Sequence, residues 1–140
     1  MNEEQVEEAL KVEKIYTEVI EETLKLKDQE PIKIWLRHLG YPIEKAQTLS
    51  ANRETYKLLK ASGMEDEDAN FGGYTALRMK TLYFVIRKGP EPKAPRLLQN
   101  ERQLAGISYE EQERLLVKWY DTFEISEEEL GNSLRVKTNS

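Results

Sequence analysis

At 140 residues, with 39% hydrophobic and 34% charged side chains, the chain is sized for one folded domain with a densely charged surface, which excludes wholesale disorder. The absence of cysteine excludes disulfides, thiolate nucleophiles and cysteine-ligated metals, and fits a reducing, cytoplasmic setting. A net charge of −5 argues against a protein built to wrap nucleic acid, because phosphate neutralisation needs surplus Lys and Arg. The start of the chain, Met-Asn-Glu-Glu, is acidic where a secretory leader would be basic, and no apolar run is long enough to span a bilayer.

The first element expected is a long helix over residues 2–28. Asn2 can cap it, Glu3 and Glu4 suit its positive end, and Lys25 and Lys27 suit its negative end. Ala9, Val12, Tyr16, Val19 and Leu26 form an apolar stripe at helical spacing, flanked by Val6, Leu10, Ile20 and Leu24. Such a stripe buries against its own domain or pairs with a second copy of the chain. Pro31 ends that helix and opens a short one through Trp35 and His38 to Gly40, which is expected as a left-handed cap. Pro42 opens another, with Ile43, Ala46, Leu49, Tyr56 and Leu59 inward, Gly63 as its stop and Ser50 as a place where it can break.

The acidic run Glu65–Asp68 and the following Asn70-Phe71-Gly72-Gly73 read as turn and loop, since adjacent glycines disfavour regular structure. Residues 74–88 carry a helical stripe (Ala76, Met79, Tyr83, Ile86). Leu82 to Ile86 would also suit a buried strand, whose partner would be Leu134–Lys137. Helix is the preferred reading. The proline-rich stretch Gly89–Pro95 is an irregular, stiff connector. Two capping boxes, Ser108 with Glu111 and Ser126 with Glu129, announce the last helices. The expected fold is therefore mostly α, a compact bundle of about five helices in a single domain over residues 1–136. A small two-stranded sheet is the α+β alternative, and residues 137–140 form a frayed tail.

Chemistry is sparse. Asp66-x-Asp68-x-Asn70 imitates the opening of a calcium loop, but Phe71 stands where the sharp turn needs glycine and Leu77 where a bidentate carboxylate is required. The single histidine, His38, belongs to no nucleophile motif, and there is no phosphate-cradling glycine loop. Paired acids such as Glu21-Glu22 and Glu110-Glu111 read as solvated helix surface. No metal, cofactor or catalytic residue is expected.

Charge alternates in blocks, net −6 over 1–30, +4 over 31–63, −4 over 64–72, +5 over 73–103 and −4 over 104–140. Oppositely charged helices packed side by side would account for this, and so would a partner-facing patch. The basic block holds Arg78, Lys80, Arg87, Lys88, Lys93, Arg96 and Arg102 among Tyr74, Tyr83 and Phe84. Near the C-terminus Trp119, Tyr120 and Phe123 crowd one helix, where Trp119 and its neighbour point about a quarter-turn apart and are hard to bury together. Aromatic residues and Arg dominate binding hot spots, so the expected partner surface is Arg78, Arg87, Lys88, Trp119, Tyr120 and Phe123.

In size, acidity and lack of chemical motifs the chain resembles small accessory proteins of bacteriophages and mobile elements, including those that bind host RNA polymerase; no particular stretch carries the resemblance. It implies a non-enzymatic regulator of viral type that docks on a larger machine such as the transcription apparatus. A helical assembly or structural protein, including a homodimer through the first helix, is the alternative. An unfamiliar enzyme and a direct nucleic-acid binder rank below both, and no tight binding to nucleic acid is expected.

Overall fold

The computed structural model describes residues 2–5, 18–91 and 93–123. It is the α+β alternative, helices with a small sheet, and not a purely helical bundle; the sheet has three strands rather than the expected two. Strands β1 (Val19–Leu24), β2 (Ile32–Arg37) and β3 (Ile86–Arg87) form one antiparallel sheet in that order. Helices α1 (Ile43–Ala61) and α2 (Asp66–Val85) lie between β2 and β3, and a short 3₁₀ helix (Glu101–Gly106) precedes α3 (Tyr109–Phe123).

The start of the expected 2–28 helix is present locally. Gln5 N–H donates to Asn2 Oδ1 at 2.8 Å, and Asn2 N–H donates to Gln5 Oε1 at 3.1 Å, a reciprocal cap. Residues 6–17 lie outside the described residues, and so does the homodimer face drawn on them. From Val19 the expectation fails, because Val19–Leu24 is a strand whose partners run from Val19 opposite Arg37 to Leu24 opposite Ile32. Period-two burial replaces period 3.6: Ile20, Glu22 and Leu24 turn inward, while Glu21 and Thr23 face out. β-branched Val19, Ile20 and Thr23 suit this conformation, and Asp28 makes the hairpin turn at φ 59°.

Ile32–Arg37 is likewise a strand rather than the expected short helix. Its Ile34 and Leu36 are wholly buried, which a pleated strand achieves by alternation. Gly40 is no left-handed cap; its N–H instead donates to Glu44 Oε1 at 2.6 Å.

Pro42 does precede a helix, which runs through Ser50 without a break and stops at Gly63, where φ is +96°. The expected acidic loop is helical, forming the first turns of α2. Gly72 and Gly73 stay in the helix because α1 passes close beside them. A Cβ at Gly73 would stand 2.8 Å from the Asn52 carbonyl oxygen, and one at Gly72 would overlap the Leu59 side chain. Both readings of residues 74–88 hold in part, since α2 ends at Val85 and Ile86 starts β3 directly. The partner of β3 is β2; Leu134–Lys137, like the box at Ser126, lies outside the described residues. The proline stretch is irregular, tied to β3 where Lys88 N–H donates to Pro95 O at 3.0 Å. The box at Ser108 is half formed: Glu111 N–H donates to Ser108 Oγ at 3.2 Å, but the Glu111 carboxylate turns to β1.

The core gathers Leu24, Ile34 and Leu36 from the sheet, Leu82, Phe84 and Val85 from the end of α2, and Leu115, Leu116 and Trp119 from α3. None of α1 enters it. Apart from its first turn, α1 packs mainly on α2. The molecule is thus a sheet-and-helix base from which an α1–α2 hairpin about 30 Å long extends as an arm.

Candidate functional site

Of the residues expected to meet a partner, Trp119 is 1% exposed and donates through Nε1 to Arg37 O at 2.8 Å. Tyr120 and Phe123 are half-buried and packed against the core, their ring centroids 5.1 and 6.2 Å from that of Trp119. The quarter-turn between Trp119 and Tyr120 is accommodated by the tyrosine lying edge-on at the rim of the core. Arg87 is buried as well. Its Nε donates to Phe84 O at 3.0 Å and its Nη1 to Ala94 O at 2.9 Å. Arg78 bridges α2 to α3 by donating to the Glu113 carboxylate. Lys88 is exposed, with no side-chain ion pair among the described residues. The fold links Arg87 to Trp119 through Arg37, but as interior packing, which leaves Lys88 as the exposed member of the set.

Two features escape a reading of the sequence. The first is a stripe on α2. Phe71, Tyr74, Thr75 and Arg78 recur three and four residues apart, on the same side as Leu82 and Val85. At the base that side is sealed in the core, and towards the arm's tip it continues uncovered, with Phe71 67% and Tyr74 55% exposed. Tyr109, 63% exposed at the start of α3, faces Thr75 and Arg78 across a cleft of about 140 Å³. Glu67 and Asp68, one turn before Phe71, are exposed and form no ion pair among the described residues. The signal was present in the 71, 74, 75, 78 spacing, but reading Gly72-Gly73 as a loop conceals it.

The second is an arginine cluster. Glu44, in the first turn of α1, accepts from Arg37 Nη2 at 2.9 and 3.0 Å, with Arg87 Nη2 at 3.7 Å and Arg96 Nη2 at 3.8 Å from its Oε2. Three guanidiniums thus surround one carboxylate. Arg96 lies 5.0 Å from the ring centroids of both Tyr83 and Phe84, and its Nη1 donates to the Tyr83 hydroxyl at 3.2 Å. Burial, then repulsion from Arg37, pushes the Arg87 pKa down to about 10, which still leaves it cationic at neutral pH. His38, buried next to Arg37, has its pKa lowered by desolvation first and by the Arg37 charge second.

Other titratable groups are joined into the scaffold. Arg114 donates to Glu22 at 2.6 Å and to Glu111 at 2.7 Å, while Glu111 also accepts from Lys25 N–H at 2.6 Å, fastening α3 to β1. Asp66, Asp68 and Asn70 sit on a helix, where Asp68 points away from the other two and Asp66 accepts from Tyr56 Oη and from Asn70 Nδ2. Among the described residues, no group of three or more His, Asp or Glu could hold a metal ion, and no helix is long and apolar enough to cross a membrane. A groove of about 460 Å³ between the β1–β2 turn and the 3₁₀ helix is lined mainly by apolar side chains, Leu24, Leu26, Ile32, Leu98 and Ile107 among them. No protein-family model matches the chain, and neither a curated protein nor a solved structure matches it.

Proposed function

We propose that the protein is a non-enzymatic binding regulator that docks on a larger assembly through the outer face of its helical arm. The observation that carries this reading is the uncovered aromatic stripe of Phe71 and Tyr74, continued by Tyr109. Exposed aromatics grouped on one rigid helix face supply binding energy at low entropic cost. The unpaired acids Glu67 and Asp68 beside them favour a protein partner with a basic and apolar surface, since complementary charge steers encounter and excludes wrong partners. Catalysis draws less support, because Glu111, Glu113 and Arg114 serve to hold helices to strands and to each other.

The test is capture from the native host with tagged full-length protein, comparing wild type with a Phe71→Ser/Tyr74→Ser double variant. Each hot-spot aromatic contributes about 2 kcal/mol. The double variant should therefore lose specific captured proteins by more than about tenfold while its Tm stays within the range of neutral surface changes. Polymerase subunits among the proteins lost would extend the reading to transcription. Unchanged capture by the double variant, with loss in Lys88→Glu, would move the docking surface to the basic block.

A further inference from the structure

The arginine cluster holds more positive charge than the fold uses. Glu44 neutralises one of three guanidiniums, and its carboxylate already accepts from Arg37 through both oxygens and from Gly40 N–H. Arg87 commits Nε and Nη1 to backbone carbonyls, and Arg96 commits Nη1 to Tyr83. Nη2 of Arg87 and both Nε and Nη2 of Arg96 make no hydrogen bond among the described residues, and the two Nη2 groups stand 3.7 and 3.8 Å from Glu44 Oε2, beyond hydrogen-bonding distance. Behind them Arg37 Nε is buried with no hydrogen-bond partner among the described residues.

We propose that these converging Nη2 groups, backed by Arg37, form a binding site for a phosphate group, which enters along the exposed side of Arg96. A surplus of two positive charges matches the −1.5 to −2 of a phosphate at neutral pH better than the single charge of a carboxylate. Guanidinium forks also suit tetrahedral oxyanions geometrically. The site is preorganised: the Arg87 side chain is 10% exposed and fixed by two carbonyls, and Arg96 is held against the Tyr83 and Phe84 rings and by the Tyr83 hydroxyl. The 39% exposure of the Arg96 side chain provides the entrance. Burial first, and repulsion from Arg37 and Arg96 after it, depress the Arg87 pKa; the repulsive part is relieved when an anion enters. This site lies apart from the aromatic face of the arm, and neither proposal depends on the other.

The experiment is thermal unfolding of the full chain across a titration of inorganic phosphate, with ionic strength held constant by chloride. Wild type should show a saturable rise in Tm of a few degrees. Arg96→Gln, at a half-exposed position that a folded protein tolerates, should weaken the apparent phosphate affinity at least tenfold, and Lys88→Gln should leave it unchanged. Glu44→Gln removes the competing carboxylate and should tighten binding if the variant folds. Repeating the titration with phenyl phosphate separates the sources: tighter binding than inorganic phosphate assigns the site to a ligand-borne phosphate, weaker binding to the free ion. A Tm that does not respond to phosphate beyond the chloride control, or that responds equally in Arg96→Gln, would overturn the proposal and leave the cluster as a latch for α1.

Discussion

His38 and Glu111 show how position, rather than residue type, decides what a titratable group does. Because burial and Arg37 both disfavour its charge, His38 should be neutral in the folded protein at pH 7. As the single histidine, its ring Cε1 proton can be followed alone by NMR, and the titration midpoint should fall below 6.5. The unfolded chain takes up that proton first, so stability should decline as pH drops below 6.5, and His38→Gln should remove this part of the decline. Glu111 behaves oppositely. The Arg114 hydrogen bond, assisted by Lys25 N–H, holds its carboxyl below the ordinary 4.5. Its contribution is complete above that value and is lost as pH falls through the lower, folded pKa. Glu111→Gln should cost about 1–3 kcal/mol at pH 7 in chemical denaturation, and the gap to wild type should close in acid. Neither role was legible from sequence, where His38 looks like a helix-end residue and Glu111 like half of a capping box. Each depends on a partner that only the fold brings near, and for Glu111 the Lys25 amide is 86 residues away.

At the scale of elements, local signals located stops and starts better than they identified types. Pro42, Gly63 and Ser108 mark boundaries that the structure keeps, because capping and left-handed geometry are decided within a few residues. Val19–Leu24 and Ile32–Arg37 read as helix in the sequence but form strands, and in the first of them Val12, Tyr16 and Val19 satisfy a 3.6 period while Ile20, Glu22 and Leu24 satisfy a period of two. Pairing with a strand that buries Ile34 and Leu36 completely decides between them, and that is tertiary information. Gly72-Gly73 misled for a related reason, as their purpose is close approach of two helices rather than a turn. Gly73→Ala should therefore destabilise by about 1–3 kcal/mol despite the better helix propensity of alanine, because its methyl meets the Asn52 backbone. Gly72→Ala should be much milder, since the obstacle is the tip of the flexible Leu59 side chain. Equilibrium urea unfolding of the two variants measures the difference.

For the whole molecule, the division into base and arm predicts an uneven distribution of stability. The base holds the core, whereas the outer arm is kept by α1–α2 contacts around Ala69 and Gly73 and by ion pairs such as Lys60 with Asp66. Hydrogen exchange followed by mass spectrometry should show amides of residues 52–72 exchanging well before those of β2 and the middle of α3. Equal protection throughout would mean that the arm unfolds only with the base. The charge blocks of the sequence are partly explained at this scale, since Arg78 with Glu113 and Lys33 with Glu21 join oppositely charged blocks, whereas Lys80 with Glu101 lies within one block and Arg114 with Glu22 joins two acidic ones. Around Glu44, three arginines face a single carboxylate and leave an excess of positive charge.

The junction between α2 and β3 has a mechanical consequence. Helix passes into strand between Val85 and Ile86 with no intervening loop, both residues are fully buried, and Ile86 is registered opposite Leu36. A hinge needs residues whose dihedrals can swing freely, and none is available at this root. The α2 limb of the arm is therefore clamped at its base in the sheet. A torque applied near Phe71 is delivered to β3, and hence to Arg87 beside Glu44, instead of being dissipated in a flexible joint.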